Sequence, residues 1–175
     1  MAGCPALVVA VGLLSVGCTL GCAATGTSPA PTAVADASRV DMCTVVTTAE
    51  LTRIGVSPST RQPVEQGSSA GCEWVGDQFI LSLERDRARL VSYRTRQRPA
   101  FIAFAENTVN GRAGVTFRVD RDGVTDCEQL MDGGPVSLVV GVSPQLGPDY
   151  RPVDSCAEAL RIAQLIEQRL PKAGG

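Results

Sequence analysis

The sequence predicts an α+β domain: a mostly antiparallel sheet with helices packed on it, held by two disulfides. Three observations carry this expectation. Short runs alternate apolar and polar residues, which marks strands with one wet face. Tight-turn dipeptides separate those runs, so neighbouring strands pair antiparallel. Capping boxes start a helix before the first strands and another after the last, which places helices at the two ends of the order.

The elements follow in sequence. In Thr47-Thr48-Ala49-Glu50, Thr47 caps a helix N-terminus while Glu50 reaches back, and Gly55 stops the helix after Ile54. Cys72-Glu73-Trp74-Val75 is β-prone, Gly76-Asp77 turns the chain, and Phe79, Leu81 and Leu83 alternate with polar neighbours. Together they read as a hairpin. Arg85 to Arg98 reads as helical or irregular, ended by Pro99. Asn110-Gly111 is a strong turn signal, and Val115, Phe117 and Val119 form the next strand. Asp122-Gly123 turns into a partner strand over 124–130, and Gly133-Gly134-Pro135 turns again. The almost wholly apolar run from Pro135 to Val142 belongs in the middle of the sheet. Ser155 and Glu158 read as a second capping box. The last helix carries Ala159, Ile162, Ala163, Ile166 and Leu170 on one face and ends at Pro171.

Composition excludes several chemistries. The 175 residues contain no histidine, which removes Ser-His-Asp and Cys-His nucleophile arrangements and any His-ligated metal. The single lysine, Lys172, lies almost at the C-terminus, an improbable place for a buried Schiff-base lysine. A net charge of −2 and 4% aromatic residues argue against a nucleic-acid binder. No cofactor is expected. An Asp120-Arg121-Asp122-Gly123-Val124-Thr125-Asp126 run has carboxylates but lacks the terminal bidentate Glu of a calcium loop, so it reads as a turn and no metal is expected.

The N-terminus reads as a targeting segment. Ala6 to Leu20 is an apolar run too short to span a bilayer, which needs about 20 apolar residues. It ends in small residues next to cysteine, at Gly17-Cys18 and again at Gly21-Cys22. This pattern resembles a bacterial lipobox, in which the cysteine thiol receives a diacylglyceryl group and the signal is cut just before it. Cys22 is the expected lipidation site, because its use leaves an even set of four cysteines in the domain; Cys18 is the alternative. Met1 to Pro5 carries no Lys or Arg, where export signals normally do. The expected organisation is a signal over 1–21, a flexible Ala/Thr/Ser/Pro tether over 22–40, one domain over 41–172 and a tail over 173–175. The expected location is the outer face of the cytoplasmic membrane, held by acyl chains.

In an exported domain, four cysteines most simply form two disulfides. Three connectivities exist. Cys43–Cys72 with Cys127–Cys156 is favoured, since each bond would pin a helix start to a strand and close a loop worth about 3–4 kcal/mol. A four-cysteine metal site would need a Cys-x-x-Cys pair, which is absent.

The residues around these cysteines carry a resemblance. Asp41-Met42-Cys43 with Glu50-Leu51 is similar to the "Asp-Pro-Cys, apolar pair, Thr, Glu-Leu" opening of an actinobacterial lipoprotein family catalogued as domain of unknown function 3558; Met42 stands at the Pro position. Cys72-Glu73-Trp74, the Asn110-to-Gly114 turn, Cys127-Glu128 and the helix from Cys156 to Leu170-Pro171 resemble its later motifs. The resemblance implies a cell-envelope lipoprotein and supplies no catalytic residues. The element order is also similar to that of the PsbP and Mog1 proteins.

Two candidate sites remain. Arg85, Arg87, Arg89, Arg94, Arg96 and Arg98 are opposed only by Glu84 and Asp86 within their segment, a pattern suited to anionic lipid headgroups or an acidic partner. The bland reading is a solvated face. Trp74 reads as a core residue packed on a disulfide, or else as a ligand platform. The functional expectation is therefore a non-enzymatic, lipid-anchored envelope protein that binds another protein. The alternatives are a carrier or sensor of a small or lipidic ligand, and a His-free hydrolase.

Overall fold

A computed structural model describes residues 35–121, 124–145 and 153–172, and only the backbone at 97, 98 and 121. It contains helices α1 (Thr48–Ile54), α2 (Leu90–Ser92) and α3 (Ser155–Glu167). The strands are β1 (Gln62–Gln66), β2 (Ser69–Val75), β3 (Phe79–Asp86), β4 (Ile102–Val109), β5 (Arg112–Arg121), β6 (Val124–Asp132) and β7 (Ser137–Pro144). They form one sheet of order β1-β2-β3-β7-β6-β5-β4, and every adjacent pair is antiparallel. The class is the α+β one expected.

β7 is the central strand of the seven, as its apolar composition requires. Leu81, Leu83, Val140, Val142 and Met131 point to one face, where Leu51 and Ile54 of α1 and Ala159, Ile162, Ala163 and Ile166 of α3 close over them. This is the main core. The other face carries a second, smaller cluster of Val115, Phe117, Leu130 and Val139, covered by Leu90 and Tyr93. Phe101 lies against Phe117 with ring centroids 3.7 Å apart, and Tyr93 stacks beside both, 5.9 Å from Phe101 and 6.0 Å from Phe117.

Both expected disulfides are present. Cys43, just before α1, bonds Cys72 on β2, and Cys156, in the first turn of α3, bonds Cys127 on β6. Each fixes a helix start against the sheet, so both helices are oriented covalently as well as by packing. The α1 capping box forms as the sequence indicates: Thr47 accepts from the Glu50 amide, Glu50 accepts from Thr47 N at 3.0 Å, and Gly55 takes a left-handed conformation at the end.

Four readings need correction. The sheet has two strands that the alternation rule misses, β1 and β4, and they are its two edges. The 85–98 segment is irregular, one of the two readings given for it, but it begins later than expected. Arg85 and Asp86 still belong to β3, and α2 is followed by a single π-turn over Tyr93–Gln97 and a 3₁₀ turn over Arg98–Ala100 that contains Pro99. At α3, Asp154 rather than Ser155 is the cap: its carboxylate accepts from the Cys156 and Ala157 amides at 3.1 and 3.2 Å. That helix ends at Glu167, before Pro171. Finally, residues 35–40 of the supposed tether dock on the domain. Ala37 is buried and donates to the Gly133 carbonyl at 2.9 Å, while Arg85 donates to the carbonyls of Ser38 and Val40.

Candidate functional site

The side chains that couple helices to sheet account for several of the buried charges. Arg112, at the start of β5, donates to Glu167 Oε1 at 3.2 Å, to the Asp132 carbonyl and to the Pro171 carbonyl. Lys172 Nζ reaches the same carboxylate at 2.6 Å. Burial pushes the Glu167 carboxyl up, but the hydrogen bonds from Lys172 and Arg112 outweigh it and hold the group below its ordinary value. Arg169 bonds Glu50 and also donates to the Val45 carbonyl. The Arg169 hydrogen bond, followed by those of Thr47, lowers the Glu50 carboxyl to about 2. Asp86 receives the Tyr93 hydroxyl and the Ala88 amide. Burial pushes Asp86 up and its hydrogen bonds bring it below the ordinary value, while burial and the Asp86 carboxylate push Tyr93 up. These groups are structural: each is saturated by neighbours in the fold.

Concave regions open at several places among the described residues. One, of about 600 Å³, lies between α1 and the end of β2 and is lined by Thr44, Thr47, Thr48, Arg61 and Trp74 among others. Trp74 is 1% exposed, and its indole nitrogen has no acceptor within reach. Trp74 is thus a core residue two positions from a disulfide, as one of its two readings expects, and it is also among the residues that border this region. A second groove of about 300 Å³ runs beside Cys43, between the 39–42 segment and β1–β2.

A third lies on the face opposite α1 and α3. There Glu73, Glu84, Asp126 and Glu128 surround Ser82, Gly141 and Ser143. A Cβ on Gly141 would sit 2.3 Å from Ser82 Oγ, so a larger residue there would make the Ser82 hydroxyl turn away. The groove holds only about 60 Å³, room for roughly two waters at ~30 Å³ each. Glu84, Asp126 and Glu128 are all engaged with other groups. No group of three or more potential metal-ligating residues occurs among the described residues.

The six arginines are distributed rather than gathered in one row. Arg85 is turned to the 38–40 backbone. Arg89 donates to the Gly134 carbonyl at 3.3 Å but remains exposed, and Arg94 pairs with Glu106 on β4 at 3.3 Å. Arg87 and Arg96 are exposed. The Arg98 side chain, the turn at Asp122-Gly123 and both candidate lipidation sites, Cys18 and Cys22, lie outside what is described. What the sequence reading missed is the company these arginines keep. Val91 and Ile102, each 52% exposed, are the large apolar side chains left open to solvent among the described residues, and both lie on the same β3–β4 connection or its end. The signal was present in the sequence as two aliphatic residues within an arginine-rich run.

Fold and side-chain inventory together define a disulfide-stapled α+β domain: one antiparallel sheet, helices over one face, and a basic connection over part of the other. The chain belongs to the family described as Protein of unknown function (DUF3558), which matches residues 13–169. No curated protein matches it. No solved structure matches either, so the likeness of element order to the PsbP and Mog1 proteins has no structural support. No helix among the described residues is long and apolar enough to cross a membrane.

Proposed function

We propose that this chain is a lipid-anchored envelope protein whose disulfide-stapled domain serves as a non-catalytic binding module outside the cytoplasmic membrane. The observation that carries this is the pair of disulfides, Cys43–Cys72 and Cys127–Cys156. Bonds of this kind persist in oxidising compartments and are rare in the cytosol. They use every cysteine of the domain and leave Cys22 or Cys18 to the anchor.

The non-catalytic reading is supported by how the ionisable groups are spent. There is no histidine to act as a base. Glu50, Asp86 and Glu167 are held in their charged form by structural hydrogen bonds, which suits capping and bracing rather than proton transfer. The carboxylates around the small groove are an arrangement among the described residues that a His-free hydrolase would need. Its volume is well below the roughly 300–1,000 Å³ of small-molecule sites, so a sugar ring does not fit. A carrier reading has one observation in its favour: the cavity beside Trp74, at about 600 Å³, lies within that range.

The test of anchoring is detergent-phase partition of the protein made in a host that acylates lipoproteins. The wild-type chain enters the detergent phase and incorporates labelled fatty acid, and Cys22→Ala abolishes the label while Cys18→Ala does not. A wild-type chain that stays aqueous overturns the anchor.

A further inference from the structure

The stretch from Arg87 to Ala105 contains five arginines and no Asp or Glu, in a chain whose net charge is −2. It forms the connection from β3 across the sheet face and the start of edge strand β4. Its inward side is fixed. Leu90 and Tyr93 are buried against Phe117 and Leu130, Tyr93 donates to Asp86, and Arg94 is tied to Glu106. Its outward side is left with Arg87, Arg89 and Arg96, and with Val91 and Ile102.

An exposed Val or Ile taken singly needs no explanation. Here both exposed large aliphatic residues of the described structure fall in the one acid-free, arginine-rich segment. We infer that this connection is a docking surface for an anionic lipid bilayer, in which Val91 and Ile102 enter the headgroup boundary while Arg87, Arg89 and Arg96 meet the lipid phosphates. Guanidinium groups suit this role, because they pair bidentately with phosphate while their aliphatic stems lie along apolar surface. Two exposed apolar side chains in a run of cations match a lipid interface better than an acidic protein, which needs a shaped recess for its anchor residues. The inference extends the anchored reading above. A tethered domain is already next to the bilayer, so a surface too weak to recruit the protein alone suffices to orient it.

The test uses residues 23–175, which lack both the apolar run from Ala6 to Leu20 and the candidate lipidation cysteines, so that neither a retained signal nor an acyl chain binds lipid and failure of the anchor does not affect the result. It is sedimented with vesicles of phosphatidylglycerol and phosphatidylcholine in equal parts, and with phosphatidylcholine alone. The anionic vesicles bind it about tenfold or more tightly than the neutral ones, and rising salt weakens the binding. R87S/R96S lowers affinity for anionic vesicles about tenfold or more, at ~1 kcal/mol per basic residue near the surface. V91S/I102S weakens it as well. All four substitutions are at exposed positions, so the thermal midpoint stays put, and R61S, at an exposed arginine just before β1 at the sheet edge opposite β4, leaves binding unchanged. Equal binding to both vesicle types, wild-type binding by both double variants, or an equal loss from R61S overturns the inference. Saturable binding to poly-glutamate without preference for anionic vesicles also overturns it and assigns the surface to an acidic protein.

Discussion

Glu50 is the residue whose chemistry is clearest. It caps its own helix through Thr47 and clamps the end of α3 through Arg169, and both partners hold its carboxyl down to about 2 from an ordinary 4.5. A carboxyl lowered on folding stabilises the fold above its unfolded value, and that contribution is lost as pH falls through the folded value. The difference in urea midpoint between wild type and Glu50→Gln is therefore constant above about pH 5 and shrinks toward about pH 2. A difference indifferent to acid contradicts the assignment. Half of this was legible in the sequence. The capping box shows in Thr47-Thr48-Ala49-Glu50, because it depends on residues three apart. The contact to Arg169 spans 119 residues, and no local pattern reports it. The same holds for Arg112 with Glu167, and for the Asn107–Gln129 amide pair on the covered face of the sheet. Gly114 makes room for that pair, since a Cβ there would lie 2.7 Å from Asn107 Oδ1.

At the scale of elements, the strands that the sequence revealed are the interior ones. Phe79, Leu81 and Leu83 alternate because one side of β3 meets the core and the other meets water. The edges obey other demands. β1 reads Gln-Pro-Val-Glu-Gln and is exposed along nearly its whole length, so no apolar period can arise, and Pro63 and Glu65 discourage pairing with a further strand. In β4 the register shifts between Ile102 and Ala105, and Ala103 takes a φ of 51° there. That bulge lets Phe101 and Phe104 both reach the Phe117 cluster and erases the period of two. The start of α3 shows how one residue decides a cap. Ser155 fits the pattern, but Asp154 makes the bonds, and Ser155 Oγ is buried without a partner. Asp154→Ala is expected to cost about 1 kcal/mol in equilibrium unfolding, whereas Ser155→Ala is neutral or slightly stabilising. The reverse order would restore Ser155 as the cap.

For the whole molecule, the two covalent links explain why a sheet of seven strands holds its helices in place. Each links positions 29 apart in sequence and is worth about 3–4 kcal/mol by the entropy of the closed loop. Their pairing was legible because each bond joins a recognisable helix start to a recognisable strand. The smaller cluster on the second face was not, because the segment that covers it has no regular period: α2, the π-turn and the 3₁₀ turn follow one another within 11 residues. The function proposed rests on the same links, since bonds of this kind persist in oxidising compartments and these two take up all four cysteines of the domain. A peptide map of the untreated protein from the cell envelope, read by mass spectrometry without reduction, tests this most directly. The account predicts an N-terminal peptide that begins at Cys22 and carries acyl chains, together with cross-linked peptides joining Cys43 to Cys72 and Cys127 to Cys156. Free thiols at those four positions, or an unacylated chain that still contains the apolar run from Ala6 to Leu20, would contradict it.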